Sequence, residues 1–118
     1  MRRSAALGRY GEEVAAAHLQ AQGMVILDRN WRCDVGEIDI VAREGSTLVI
    51  CEVKTRSSLE FGSPLQHLTA RKLRRLRQLC YRWLMDRQVH APAIRIDVIG
   101  VMQTEKGAPR IEHLRGVD

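Results

Sequence analysis

Asp39, Glu52 and Lys54 are the residues of this chain best placed to do chemistry. Twelve residues separate the aspartate from a Glu-Val-Lys triplet, and both carboxylates lie in otherwise apolar stretches. Alternate residues of a strand share a face. Over residues 47–54, Leu48, Ile50, Glu52 and Lys54 therefore line one side and Thr47, Val49, Cys51 and Val53 the other. Both sides are mostly apolar, the pattern of a central strand covered on both faces. A glutamate and a lysine two apart on such a strand are costly unless they are paired or put to use. Residues 37–43 read as a second strand, with Glu37, Asp39 and Val41 opposite Ile38, Ile40 and Ala42. The turn signal Arg43-Glu44-Gly45-Ser46 joins the two strands as an antiparallel hairpin, so Asp39 and Glu52 should converge. Two carboxylates side by side repel, and a divalent cation is the usual remedy. Lys54 adds a fixed positive charge that could hold a water, a hydroxide or a phosphate oxygen. The plain alternative is a buried ion pair of Lys54 with Glu52 or Asp39.

These side chains need elements to hold them. Residues 4–22 carry Leu7, Tyr10, Val14, Ala17 and Ala21 at helical spacing, with Ser4 as a candidate cap and Gly23 where the helix should stop. A neighbouring stripe, Gly8, Gly11, Glu12, Ala15 and Leu19, is small, so another element can come close beside Glu12. Residues 24–29 read as a short strand and 30–35 as a loop. After a loop over 55–68, Thr69 is a fair cap for a helix over 70–88. Its apolar stripe is Leu73, Leu76, Leu79, Cys80, Trp83 and Leu84; Arg71, Lys72, Arg74, Arg75, Arg77 and Arg82 fill the rest. Pro92 ends that segment, 93–102 is a fourth strand and 110–114 a short fifth. The order α-β-β-β-α-β-β predicts an α/β fold, two main helices on one mixed sheet, in a single domain over residues 1–118.

The composition narrows the partners. Hydrophobic residues make up 45% of the 118, enough for one core. No stretch approaches the roughly 18 apolar residues of a membrane span. The start has the charge of a signal peptide but no apolar run before Arg9, so a cytoplasmic protein with no membrane partner is expected. The net charge is +5, and with lysine only at 54, 72 and 106 the excess is arginine, whose forks suit phosphate. Nucleic acid is the expected partner. Two Trp, two Tyr and one Phe are too few for serial base stacking, which favours backbone contact. Arg71, Lys72, Arg74 and Arg75 would track phosphates on that reading; on the plain one they form a solvated face. Arg56 follows the lysine at the strand exit, where a phosphate could be held. Cys33, Cys51 and Cys80 are odd in number, too far apart for a zinc pair, and read as reduced thiols. The four histidines, His18, His67, His90 and His113, are scattered, and no zinc site is expected.

The quoted pieces also carry a resemblance. Asp39 with Glu52-Val53-Lys54, the preceding Gly36-Glu37-Ile38-Asp39 and the helical Gly8-Arg9-Tyr10-Gly11-Glu12 resemble the PD-(D/E)XK nuclease signature. Over roughly residues 8–115 the chain is similar to the YraN-like family, small bacterial proteins that resemble archaeal Holliday-junction resolvases. Phe61-Gly62-Ser63-Pro64, Arg71-Lys72-Leu73-Arg74-Arg75-Leu76 and Arg95-Ile96-Asp97-Val98 belong to the match. The resemblance implies a restriction-endonuclease-like αβββαβ core. It implies Mg²⁺ or Mn²⁺ held by Asp39 and Glu52, with Glu12 as the upstream helical carboxylate and Lys54 beside the attacking water. It also admits a homodimer.

Three further residues are open to two readings. Gln66 is the polar residue after the acidic-x-Lys strand, or an ordinary loop residue. Glu37 supports the metal through water, or is an exposed strand-start charge. Asp97, between Ile96 and Val98, reads as a structural anchor paired with an arginine, with direct catalysis as the other reading. The expected function is a metal-dependent endonuclease hydrolysing phosphodiesters in branched or flapped DNA. The alternative is a non-catalytic nucleic-acid-binding accessory protein of the same fold.

Overall fold

A computed structural model of the chain describes residues 2–57 and 63–118, without the side chains of residues 2–4, 64 and 67. Phe61 and Gly62 of the family-like segment lie outside the described residues. The elements run α1 (Arg2–Ala21), β1 (Val25–Cys33), β2 (Gly36–Glu44), β3 (Thr47–Ser57), a 3-10 turn (Pro64–His67), α2 (Ala70–Arg87), β4 (Ala93–Gln103) and β5 (Arg110–Leu114). The sheet order is β1-β2-β3-β4-β5. β3 and β4 are parallel and the other neighbours antiparallel, which gives the mixed sheet expected.

β3 is central, and its two-faced apolar pattern is matched by two covers. Val49 and Cys51 pack with Ile40, Ala42, Ile99 and Val101 under Ala15, Ala16 and Leu19 of α1. Leu48 and Ile50 pack with Val41 and Ile96 under Leu76, Leu79, Cys80 and Trp83 of α2. The helices thus lie on opposite faces of one sheet. No helix of the described residues is long and apolar enough to cross a membrane.

Besides the loop expected from residue 55, which is strand through Ser57 because 55–57 pair with β4, three expectations need correcting. Residues 30–33 are strand rather than loop: β1 runs on to Cys33 and pairs back to Gly36 across a two-residue turn. Asn30 takes a positive φ of 52° within the strand, while Trp31, Cys33 and Val35 pack on the α2-side core. That apolar burial outweighs the loop-like look of Asn30 and Asp34. Second, α1 starts at Arg2, so Ser4 lies inside the helix rather than at its cap. Third, the alternation in β2 fails at one end. Ile40 and Ala42 share one face, the α1 side, but Ile38, expected with them, joins Val41 in the α2-side core.

Other local signals match the structure. Gly23 has φ +91° just past α1. The Thr69 side chain accepts from the Lys72 amide at 3.1 Å and caps α2. Of the small stripe on α1, Gly11 makes the close approach. A Cβ there would lie 1.8 Å from Thr55 Oγ1 and 2.7 Å from Thr55 Cβ, whereas nothing stands within 4 Å of one at Gly8. Gly→Ala inside a helix ordinarily stabilises by about 1 kcal/mol. Gly11→Ala is expected instead to destabilise by about 1–3 kcal/mol, because α1 must lift off β3. Adding Thr55→Ala should restore part of the stability, since it removes Oγ1 and Cγ2 and leaves only Cβ of the three obstructing Thr55 atoms. Urea unfolding of the three variants reads this, and a stabilised Gly11→Ala would sink the close-approach account.

Candidate functional site

The β2–β3 ladder ends at the pair Ile40↔Cys51, and beyond it the strands part. One residue past that point on each strand stand Asp39 and Glu52. Parting frees ladder groups on β3, and Asp39 answers one of them: its Oδ2 accepts the Val53 amide at 2.8 Å. The carboxylate thus replaces a missing backbone partner and is held in place by it.

Burial, and then the charge of Glu52, push the Asp39 carboxyl up to about 7; the Val53 amide pulls it down, and Glu12 and Glu37 add smaller upward pushes. The predicted convergence of Asp39 with Glu52 is therefore present, with Glu12 from α1 and Glu37 within electrostatic reach. Among the described residues, no three His, Cys, Asp or Glu side chains surround one position. The acidic core is a pair, and Glu12 acts on it more weakly.

Glu52 continues the α2-facing side of β3, as does Lys54. Glu52 Oε2 lies 3.3 Å from Lys54 Nζ and 3.8 Å from Lys72 Nζ. Lys72, assigned from its sequence neighbours to an outward basic face, instead comes from the first turn of α2 onto the same carboxylate oxygen. The signal for this was its place rather than its type: the Thr69 cap fixes where α2 begins, and the helix begins over the exit of β3. Burial works against the Lys54 charge, but the Glu52 carboxylate beside it favours that charge and the pKa is raised. Lys72 gives way, lowered by Lys54 first and then by burial. Two carboxylates and two ammonium groups thus meet at one point of the sheet. Such a set can hold a divalent cation through hard oxygen ligands and an anionic phosphate through the lysines.

The remaining candidates separate clearly. Arg71, Arg74 and Arg75 are all exposed on α2, Arg75 with its stem against the β1–β2 turn at Gly36. Arg77 is bound to Asp118, and Arg82 to Asp34 at 2.7 Å, so those two are committed within the fold. Gln66 is exposed in the 3-10 turn, which its backbone N–H closes on the Ser63 carbonyl at 2.9 Å. Arg56 and Lys54 line an open cleft of about 530 Å³ at the C-terminal ends of β3 and β4.

Asp97 is fully buried and has four donors. Arg95 Nε and the Gly116 amide reach Oδ1 at 2.9 and 3.0 Å; Arg95 Nη2 and His113 Nε2 reach Oδ2 at 3.0 and 2.8 Å. Burial alone would raise this carboxyl, but Arg95, Gly116 and His113 together hold it low. With two donors on each oxygen it is an anchor, as its sequence setting suggested. The sequence did not show that His113 also meets His18, Nδ1 to Nε2 at 3.1 Å, which ties β5 to α1. The scattered histidines include a spatial pair.

A family model described as "Uncharacterised protein family UPF0102" matches residues 11–101, a span that holds Glu12, Asp39, Glu52, Lys54 and Lys72. A UPF0102 protein of Beutenbergia cavernae is 56% identical over 117 residues, covering 99% of each chain. One of a Nocardioides species is 54% identical over 112 residues, covering 95% of this chain and 90% of its own. One of Acidothermus cellulolyticus is 51% identical, covering 94% of this chain and 92% of its own.

Proposed function

The chain belongs to the UPF0102 family, and from the site it carries we propose that it is a metal-dependent endonuclease of the PD-(D/E)XK type, acting on DNA with branched or flapped structure. The observation that carries this reading is the meeting of Asp39 and Glu52 where β2 and β3 part. There the Asp39 carboxyl is held up to about 7 by burial and by Glu52. Two neighbouring carboxyls are costly to ionise together, and a divalent cation between them would relieve that cost.

Asp39 and Glu52 would hold Mg²⁺ or Mn²⁺, with Glu12 as a further ligand or an outer partner through water. The bound ion would polarise the scissile phosphate and supply hydroxide at neutral pH. Val53 fixes Asp39 through its amide, so one ligand is oriented in advance. Lys54 would meet the negative charge that builds on the phosphate oxygens in the transition state. Lys72 shares the Glu52 oxygen and keeps a second positive charge at the same point. Arg71, Arg74 and Arg75 on α2 would hold the backbone without reading bases.

A second reading, a nucleic-acid-binding accessory without turnover, draws on the engagement of Glu52 by two lysines, which occupies one of its oxygens. The two are separated by incubating branched, flapped and single-stranded DNA with the protein and Mg²⁺ or Mn²⁺. Cleavage is expected, with Mn²⁺ effective at lower concentration than Mg²⁺ because it stands on the transition-metal affinity series. Binding without cleavage under every condition would favour the accessory role.

A further inference from the structure

Among the described residues the sheet is only partly covered. Toward the C-terminal ends of β3 and β4 it opens into the cleft of about 530 Å³, which shares Lys54 with the site just described. Strand register orders its walls in two rows. Lys54, Gly100 and Glu112 lie side by side across β3, β4 and β5; two residues further on lie Arg56, Met102 and Arg110. All six line the cleft.

The rows carry distinct chemistry. β3 contributes two cations, Lys54 and Arg56. The β4 floor is a glycine and a methionine, without charge. β5 contributes Glu112 beside Arg110. Three cations against one carboxylate select an anionic ligand. The uncharged floor selects one that also has an apolar body, and Glu112 offers a hydrogen-bond acceptor across from Lys54. A nucleotide meets all three conditions: phosphate toward β3, base over Gly100 and Met102, and a base amino group toward Glu112, as carboxylates accept from cytosine N4. The volume falls in the range, about 300–1,000 Å³, that takes a single small ligand. A base still paired in a duplex would have to leave its stack to enter, at a cost that disfavours a continuous duplex.

We propose that this cleft is a subsite for one unpaired nucleotide next to the phosphate held at Lys54, so that the strand this site takes is single-stranded or flapped rather than a continuous duplex. The proposal rests on the endonuclease reading for the position of the scissile phosphate. Its test is kept apart from turnover.

Fluorescence anisotropy in EDTA, with labelled single-stranded, flapped and blunt duplex DNA of equal length, gives affinities without any cleavage. The wild type is expected to bind the first two roughly tenfold tighter than the duplex, a preference set by the cost of extruding a paired base. Arg110→Glu, an exposed change on the edge strand, should erase most of that preference, weakening the unpaired probes about tenfold and the duplex no more than about twofold. Glu112→Gln keeps the shape and removes one negative charge; it should leave affinity for single strands equal or higher. Wild-type preference for the blunt duplex, or an equal weakening on all three probes with Arg110→Glu, would overturn the subsite. Selective binding with no cleavage under Mg²⁺ or Mn²⁺ would uphold the subsite and overturn the endonuclease reading instead.

Discussion

Asp39→Asn is expected to stabilise the metal-free chain at pH 8 by up to about 4 kcal/mol while removing its divalent-ion binding. The carboxyl has an ordinary value of 3.8 and is pushed up to about 7 in the fold, mainly by burial and then by Glu52. Between those values the folded chain keeps a proton that the unfolded chain has released. Stability therefore falls as pH rises from 3.8 to about 7, and stays low above it. Asparagine removes that penalty because it does not ionise, and its carbonyl can still accept the Val53 amide. The gain should shrink as pH falls and vanish near the ordinary value of 3.8. Urea unfolding in EDTA at about pH 8 and about pH 4.5 measures it, and a gain that does not depend on pH would contradict an origin in the Asp39 charge. Adding Mn²⁺ should close most of the gap: ligand at about 100 times its Kd stabilises a binding-competent chain by about 2.7 kcal/mol, and Asp39→Asn should gain nothing. Calorimetry showing wild-type ion binding in the variant would remove Asp39 from the ligand set.

Lys54→Ala is expected to lower cleavage by roughly 10²–10³-fold, the drop typical of removing one preorganised charge or donor from a transition state. Affinity for uncleaved DNA should fall far less, only by the one phosphate contact that Lys54 offers at the cleft. The side chain is only 28% exposed and is tied to Glu52 at 3.3 Å. Its worth lies mainly in charge that appears during the reaction, so its removal should show more in turnover than in binding. Arg74 and Arg75, exposed on α2, should behave in the opposite way. Reversing their charge should weaken binding and flatten the plot of log affinity against log salt by roughly 0.9 for each duplex phosphate they no longer neutralise. Unchanged cleavage by Lys54→Ala would reject the mechanism. An unchanged salt slope in the arginine variants would leave that helix face as plain solvated surface.

What the sequence made legible was mostly local. The two-faced β3, the 43–46 hairpin turn, the Thr69 cap and the convergence of Asp39 with Glu52 all follow from periodicity and turn chemistry between near neighbours in the chain. The extension of β1 was hidden because Asn30 and Asp34 look like loop residues, and the burial that keeps 31–33 in the sheet comes from distant α2. Lys72 was hidden for a related reason. Its neighbours on the helix are arginines, and nothing local shows that the first turn of α2 lies over Glu52. The Asp97 anchor was legible as a buried charge in need of a partner. Its His113 and Gly116 donors, and the meeting of His113 with His18, come from elements brought in only by the finished sheet. That the helices lie on opposite faces was likewise not written in either helix, since each shows one apolar stripe and neither names the face it covers.

The parallel pairing of β3 with β4 divides the molecule in time as well as in space. β1, β2 and β3 form a meander whose pairs reach from Glu44↔Thr47 out to Val25↔Arg43, short closures of the kind that form in roughly 1–10 μs. Thr47 meets Ala93 only after α2 has crossed over, and the pairs from there to Ser57↔Gln103 all close loops of that greater length. By loop closure alone, Asp39, Glu52 and Lys54 are expected to come together early in folding, and Lys72 and the cleft floor late. In the interval β3 carries an open edge along an apolar strand, the kind of surface that pairs with a second chain if β4 is slow to arrive. The nascent protein is most exposed to self-association on the very strand that later carries its site.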